Sequence, residues 1–469
     1  MIRLGRIIFF ASLLGSQAQA DSFATLDQQI TRIKAEEDIS ALAYGIVGGD
    51  DVMWQRTLGH YSVDRRRPID INTLFRVGSI TKSFTALAAL LLEHQAQFTT
   101  DSPVKHILDP VPFTNHWKER AITVDMLLEH TAGFTDLSKQ EFDYPRPLPL
   151  YDAFSLYPHS RTTRWQPGLH SSYSNSGAGI VAAVIETVSR MPFEQCLEEL
   201  IFTPMGQESA TLEPPTPMYA NLVKGYDRDG KTPIPYWHQL YRAFGALNIS
   251  TADMLKYALV LLNEGRYEGQ QVFPREVVKR MTRVTTGLAS SSGLKYGYAK
   301  GLYHFQRHGV SFYGHGGDAD GYLAFLAFSK QIDRGYFIVF NAFNPPAMGK
   351  FRKAIEDTLT AETEMATPAE YKMSAREVQT LQGEYESVTQ RFPQKQPALL
   401  SVSMNEEGKL VTRIGDANPR QLVPVSARLF RRPKQTVATS ALSEHEGQIY
   451  LHGDFGNFRK RPAEGHLQH

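Results

Sequence analysis

Residues 74–92 read LFRVGSITKSFTALAALLL: a glycine, a serine, and then a long run of good helix formers. Ser79 and Lys82 are three apart, and residues at that spacing share one face of a helix, so the hydroxyl and the amine can meet if Ser79 opens the helix. A serine hydroxyl is a weak nucleophile until a base takes its proton. A lysine is ordinarily charged and cannot be that base. Burial beside an apolar helix and near a second cation lowers its pKa and frees its lone pair. Two other tetrads have the same letters and lack the setting. Ser102-Pro103-Val104-Lys105 precedes only a short apolar stretch, and Ser292-Gly293-Leu294-Lys295 lies in a Ser/Gly-rich loop.

Two further segments give this pair its context. In WQPGLHSSYSNSGAGIVAAVIE (165–186), Tyr173 and Asn175 sit in a polar, small-residue turn that leads into an apolar stretch of helical period. Such a loop can present two polar side chains at the mouth of a cleft; it can equally be a helix entry where Ser174 or Asn175 is only a cap. Tyr219-Ala220-Asn221 matches the same short pattern without that context. In SFYGHGGDADGYLAFLAFSKQIDRGYFIVFNAF (311–343), the alternation of YLAFLAFS and the β-branched run YFIVF read as adjacent strands. His315-Gly316-Gly317 opens the pair: two glycines let a ligand approach the backbone, and the histidine is a tunable positive group. An ordinary glycine turn is the plainer alternative, and Lys295-Tyr296-Gly297 is a rival with no strand pair behind it.

In this order the segments resemble the β-lactamase and penicillin-binding serine hydrolase superfamily, whose Ser-x-x-Lys arrangement Ser79–Lys82 matches. The similarity is to the branch of class C β-lactamases, D-Ala-D-Ala carboxypeptidases, D-aminopeptidases and esterases. It extends through ITVDMLLEHTAGF, FTPMG, FGALNISTADMLKYALVLLNEG and IVFNAF. The resemblance implies an α/β (α+β) fold, with an antiparallel sheet flanked by helices and an all-helical region. It implies Ser79 as acylated nucleophile, Lys82 as its activating partner and Tyr173 as proton shuttle to the leaving group. Asn175 would bond the lysine and the substrate amide, and the backbone N–H groups of Ser79 and Asp318, after Gly316-Gly317, would form the oxyanion hole. His315 stands where class C β-lactamases have the lysine of Lys-Thr-Gly, and the missing hydroxyl weakens the case for a dedicated β-lactamase. Asp318 and Asp320, if they face the cleft, would repel a substrate carboxylate and favour a free amine. Arg164 and Arg242 are candidate sources of positive charge.

The remaining chain bounds the reading. MIRLGRIIFFASLLGSQAQA (1–20) has Arg3 and Arg6, an apolar core and Ala-Gln-Ala before Asp21, the pattern of a secretory signal cut after Ala20; its apolar run is too short to span a bilayer. A secreted or periplasmic product without a stable membrane span is expected. Removing two arginines takes the formal charge from +1 to −1, and a near-neutral chain gives no electrostatic reason to bind nucleic acid. Cys196 is the only cysteine, so no internal disulfide can form, and a core position is its expected place. His304 and His308 are four apart without an accompanying glutamate; no metal and no cofactor are expected. His130 is expected to be a structural hydrogen-bonding residue.

Length suggests two domains. The hydrolase domain is expected over 21–360, opened by a hairpin in 41–63 turning at Gly-Gly-Asp-Asp and closed by a helix at FRKAIEDTLTAE (351–362). A linker follows at 361–375. Residues 376–469 carry short strand runs between Gly and Pro turns and resemble, more loosely, the small lipocalin-like β-barrel domain that follows some of these hydrolases. The expected activity is hydrolysis of D-amino-acid peptides, small esters or amides, or β-lactams through a Ser79 acyl-enzyme, with a small molecule or peptide as the binding partner. A class C-like β-lactamase or an esterase is the alternative within that class. A non-catalytic receptor for penicillin or peptidoglycan fragments is the alternative outside it.

Overall fold

The computed structural model describes residues 3–64, 66–142, 144–213, 220–392 and 394–462, with side chains from residue 19 onward. Tyr219, of the second Tyr-x-Asn pattern, lies outside the described residues. Helix α1 (Arg3–Glu36) runs continuously across the expected leader cut, and among its described side chains Phe23, Leu26, Ile30 and Ile33 are buried. The expected hairpin follows as β1 (Ala41–Gly48) and β2 (Asp51–Gly59), with Gly49 at a φ of 59° in the turn. Strand β3 (Leu74–Arg76) pairs with β4 (Asn248–Ser250), and β5 (Arg266–Tyr267) pairs with β6 (Gln270–Gln271).

Strands β7 (Tyr303–Arg307), β8 (Val310–Ala319), β9 (Tyr322–Ser329) and β10 (Arg334–Phe340) join the hairpin in a six-stranded antiparallel sheet of order β2-β1-β10-β9-β8-β7. All eight residues of β9 are buried, because successive side chains point to opposite faces and both faces are covered. Tyr322, Ala324, Leu326 and Phe328 face one core, with helices α2 (Thr81–His94), α3 (Asn175–Ser189) and α4 (Thr251–Leu262). Leu323, Phe325 and Ala327 face the other, with α1 and α5 (Pro345–Thr360). The expected closing helix therefore starts earlier than the sequence pattern suggests. Asn344 caps it by accepting the Ala347 N–H at 3.1 Å, and Pro345 occupies the first turn, where its missing N–H costs nothing.

Beyond Thr360 the chain has no helix or strand until Ser374, whose side chain and Glu377 form a capping box for Ala375–Leu381. Nine short strands follow: β11 (Gly383–Ser387), β12 (Leu399–Met404), β13 (Leu410–Ile414), β14 (Arg420–Gln421), β15 (Val423–Pro424), β16 (Leu429–Arg431), β17 (Ser440–His445), β18 (Gln448–Gly453) and β19 (Gly456–Lys460). Their order, β14-β13-β12-β11-β19-β18-β17-β16-β15, places the consecutive strands β14 and β15 at its two ends, so the sheet is nearly a closed barrel. It encloses its own core of Tyr385, Leu400, Phe430, Leu451 and Phe458. This β-domain docks on the loop before Tyr173: the Asn457 amide donates to the Ser171 carbonyl at 2.7 Å, and the His452 and His170 rings lie 5.6 Å apart.

Candidate active site

Ser79 stands in a 3-10 turn (Gly78–Ile80) between β3 and α2 rather than in the α-helix itself. The turn is forced against β8. A Cβ on Gly78, whose φ is +51°, would meet the Asp318 backbone nitrogen at 2.5 Å, and one on Gly317 would lie 1.8 Å from the Val77 carbonyl oxygen. Both glycines are thus required for the strand to lie beside the serine. Strand β7 pairs with β8 only as far as Gly314, which leaves residues 315–319 with an edge unpaired by β7 among the described residues. That stretch lies against the Ser79 turn, and Ser79 and Asp318, whose N–H groups are the expected oxyanion donors, line one cleft.

Lys82 Nζ lies 3.0 Å from Ser79 Oγ and 2.7 Å from the Phe244 carbonyl oxygen. Only 4% of Lys82 is exposed. Burial lowers its pKa well below the ordinary lysine value; the Asp136 carboxylate opposes that shift and Arg391 reinforces it. The Tyr173 ring is 5.0 Å from Nζ. Burial raises the pKa of its phenol above the ordinary tyrosine range, and the neighbouring Ser79 side chain opposes that shift. Ser79, Lys82 and Tyr173 therefore converge on one point.

Asn175 is placed differently from expectation. Its Nδ2 donates to Asp136 Oδ1 at 2.9 Å and Oδ2 at 3.2 Å, and its backbone N–H also reaches Oδ1, so its amide is held by Asp136 rather than by Lys82. Its Oδ1 is buried without a partner among the described residues. The helix-cap alternative does not hold, since Ser174 makes no side-chain cap bond and its Oγ donates to the Thr135 carbonyl at 2.9 Å.

His315 corrects the sequence reading. The ring is buried at the edge of the site, with Nε2 2.8 Å from the Tyr298 hydroxyl and Nδ1 2.5 Å from the Gly316 carbonyl oxygen. Burial, followed by Lys82, pushes its pKa down to about 3, so it is neutral and not a positive group. His130 behaves as expected, with Nδ1 accepting the Ser174 N–H at 3.2 Å while its ring packs 4.4 Å from Tyr173 and 4.2 Å from Tyr298.

Ser79, Asn175 and Phe244 line a cleft of about 820 Å³. Asp318 and Asp320 line it too. Asp320 is tied to the buried Arg76 at 2.8 Å. Asp318 is open to solvent at the rim, so water screens part of the burial that pushes its carboxyl up to about 6. The negative field expected from the two is offset, because Arg164 and Arg391 also border the cleft. Arg242 does not; it pairs with Glu194 and Glu213 elsewhere. Cys196 is a buried helical residue. No group of three His, Cys, Asp or Glu among the described residues is arranged to hold a metal ion.

Sequence reading missed Asp136 and Arg391. Asp136 is completely buried and bonded to Asn175, while Arg391 arrives from the β-domain, pairs with Asp136 at 2.7 Å and lies 4.6 Å from the Tyr173 ring centroid. Asp136 sits two residues beyond the matched HTAGF stretch, a signal of position though not of role. Nothing in the sequence around Arg391 marks it.

A family model described as Beta-lactamase matches residues 26–359, and the chain belongs to that family. Over 341 residues it is 28% identical to PbpX of Bacillus subtilis (strain 168), whose name places it among penicillin-binding proteins; the match covers 72% of this chain and 79% of that one. A beta-lactamase of Lysobacter lactamgenus is 24% identical over 270 residues, 56% of this chain and 67% of the relative. The solved structure of the octameric penicillin-binding protein homologue from Pyrococcus abyssi superimposes with a TM-score of 0.60 at 19% identity, covering 93% of this chain and all of that one. That last match is a likeness of fold, and its extent includes the β-domain.

Proposed function

We propose that the chain is a secreted serine hydrolase that works through a Ser79 acyl-enzyme on D-amino-acid peptides, small esters or amides, or β-lactams. The observation that carries this reading is the 3.0 Å approach of a buried lysine to the Ser79 hydroxyl. Neutral Lys82 accepts the Ser79 proton as Oγ attacks the substrate carbonyl carbon. The Ser79 and Asp318 N–H groups receive the charge that develops on the carbonyl oxygen, a term worth about 3–4 kcal/mol per donor. Tyr173 passes a proton to the departing nitrogen or oxygen, and water then attacks the acyl carbon, regenerating Ser79. Lys82 and Tyr173 share this proton traffic as a coupled unit.

Asp318, without an ion-pair partner among the described residues, suits a substrate amine, and neutral His315 supplies no cation for a substrate carboxylate. Both favour aminopeptidase or esterase chemistry over a dedicated β-lactamase, against Arg164 and Arg391, the cations on the cleft that could hold a substrate carboxylate. The test is an intact-mass time course of the protein with benzylpenicillin, alongside turnover of p-nitrophenyl acetate, with Ser79→Ala as control. An adduct that disappears as penicillin is consumed identifies a β-lactamase, and a persistent one a carboxypeptidase-like enzyme. Ester turnover without any adduct identifies an esterase or aminopeptidase. Full ester turnover by Ser79→Ala would end the proposal. The leader-like segment supports export: protein recovered from outside the cytoplasm should begin at Asp21 by N-terminal sequencing.

A further inference from the structure

Arg391 lies in the segment joining β11 to β12. Its Nε donates to Asp136 Oδ2 at 2.7 Å, and its carbonyl oxygen accepts the Asp136 N–H at 2.8 Å. The Asp136 side chain has no exposure whereas that of Arg391 is 48% exposed, so the β-domain lays a wetted guanidinium over a dry carboxylate. The other donors to Asp136, from Leu137 and Asn175, are uncharged amides. Arg391 is its one ion-pair partner among the described residues.

The groups facing Lys82 are the Ser79 hydroxyl, the Phe244 carbonyl, Tyr173, His130, His315, Asp136 and Arg391. Burial keeps both histidines uncharged and the tyrosine protonated. The charges acting on the lysine are therefore Asp136 and Arg391, in opposition. An isolated buried carboxylate would hold a nearby ammonium in its charged form, and a charged lysine accepts no proton from Ser79.

We propose that Arg391 is a positioning residue of the active site, supplied by the C-terminal β-domain as the countercharge of Asp136 so that Lys82 remains available as a base. This inference deepens the serine hydrolase reading and rests on it. No bond is made or broken at Arg391; it acts through Asp136 and, by its place over the ring, through Tyr173.

The experiment is the pH dependence of kcat/KM for p-nitrophenyl acetate with the full-length protein, comparing wild type with Arg391→Gln, Arg391→Lys and the double variant Asp136→Asn/Arg391→Gln. Arg391→Gln should move the acid limb to higher pH by about one unit, about a tenfold loss on that limb, with recovery toward the alkaline plateau. Arg391→Lys should hold the limb in place, and the double variant should return it toward wild type. A loss of equal size at every pH, or no change, would overturn the inference. Should Arg391→Gln fail to fold by circular dichroism, Asp136→Asn alone decides: the limb should move to lower pH, and an unmoved limb overturns it. Failure of the hydrolase reading is seen separately, as activity that survives Ser79→Ala.

Discussion

On the proposed mechanism Lys82 works as a base only when neutral, so acylation of Ser79 should rise with pH, about tenfold per unit below its lowered pKa, and then level off. Measuring the single-turnover rate with an activated ester across pH 5–10 checks this; a rate independent of pH throughout would contradict it. Because burying an amine costs folding free energy, Lys82→Met should abolish acylation while raising Tm by a few degrees, which thermal unfolding would show. Tyr173→Phe keeps the ring that packs on His130 and removes only the hydroxyl, whose pKa responds to the neighbouring Ser79. It should lower kcat/KM by about 10²–10⁴-fold, the usual contribution of a positioned proton-transfer group, with little change in Tm. A loss below tenfold would remove Tyr173 from the proton path.

The short segments were readable because each of them must be where it is. Gly78 and Gly317 permit β8 and the Ser79 turn to touch, and Gly317→Ala would place a methyl 1.8 Å from the Val77 carbonyl oxygen. Since a displacement of about 1 Å can cost 10²-fold in rate, this variant should lose at least about that in acylation, read by the rate of a Ser79 mass adduct; near-normal labelling would show that the contact does not matter. The sheet was equally legible, as alternation in β9 and an apolar run in β10 record burial between two helical layers. Asp136 and Arg391 were not legible, since their meaning is a single contact across 255 residues of chain and neither has a local pattern. His315 was found and misread: the sequence places it at the site, but only the Tyr298 hydroxyl and the Gly316 carbonyl around it show that it stays neutral.

Across the whole molecule, buried histidines tie stability to pH. His170 and His315 are pushed down to about 3 and His304 to about 4, each chiefly by burial. In the unfolded chain they take up protons near pH 6.5, so below that value the unfolded state binds more protons and stability falls as pH falls. Each contributes up to about 1.4 kcal/mol per pH unit until its own folded pKa is reached. Tm should therefore drop steadily from pH 6.5 toward pH 4, and His170→Gln, at the junction with the β-domain, should flatten that slope; an unchanged slope would assign the acid lability to other groups. The junction also sets an order of events. Strand β11, which leads to Arg391, is held by Phe458, Arg459 and Lys460 of β19, so residues more than 370 positions after Ser79 hold the loop that meets Asp136 and the Tyr173 ring. During synthesis the nucleophile emerges hundreds of residues before its electrostatic setting is complete. On the proposed role of Arg391, the electrostatic setting of Lys82 is therefore finished only after β19 has been made and has paired with β11.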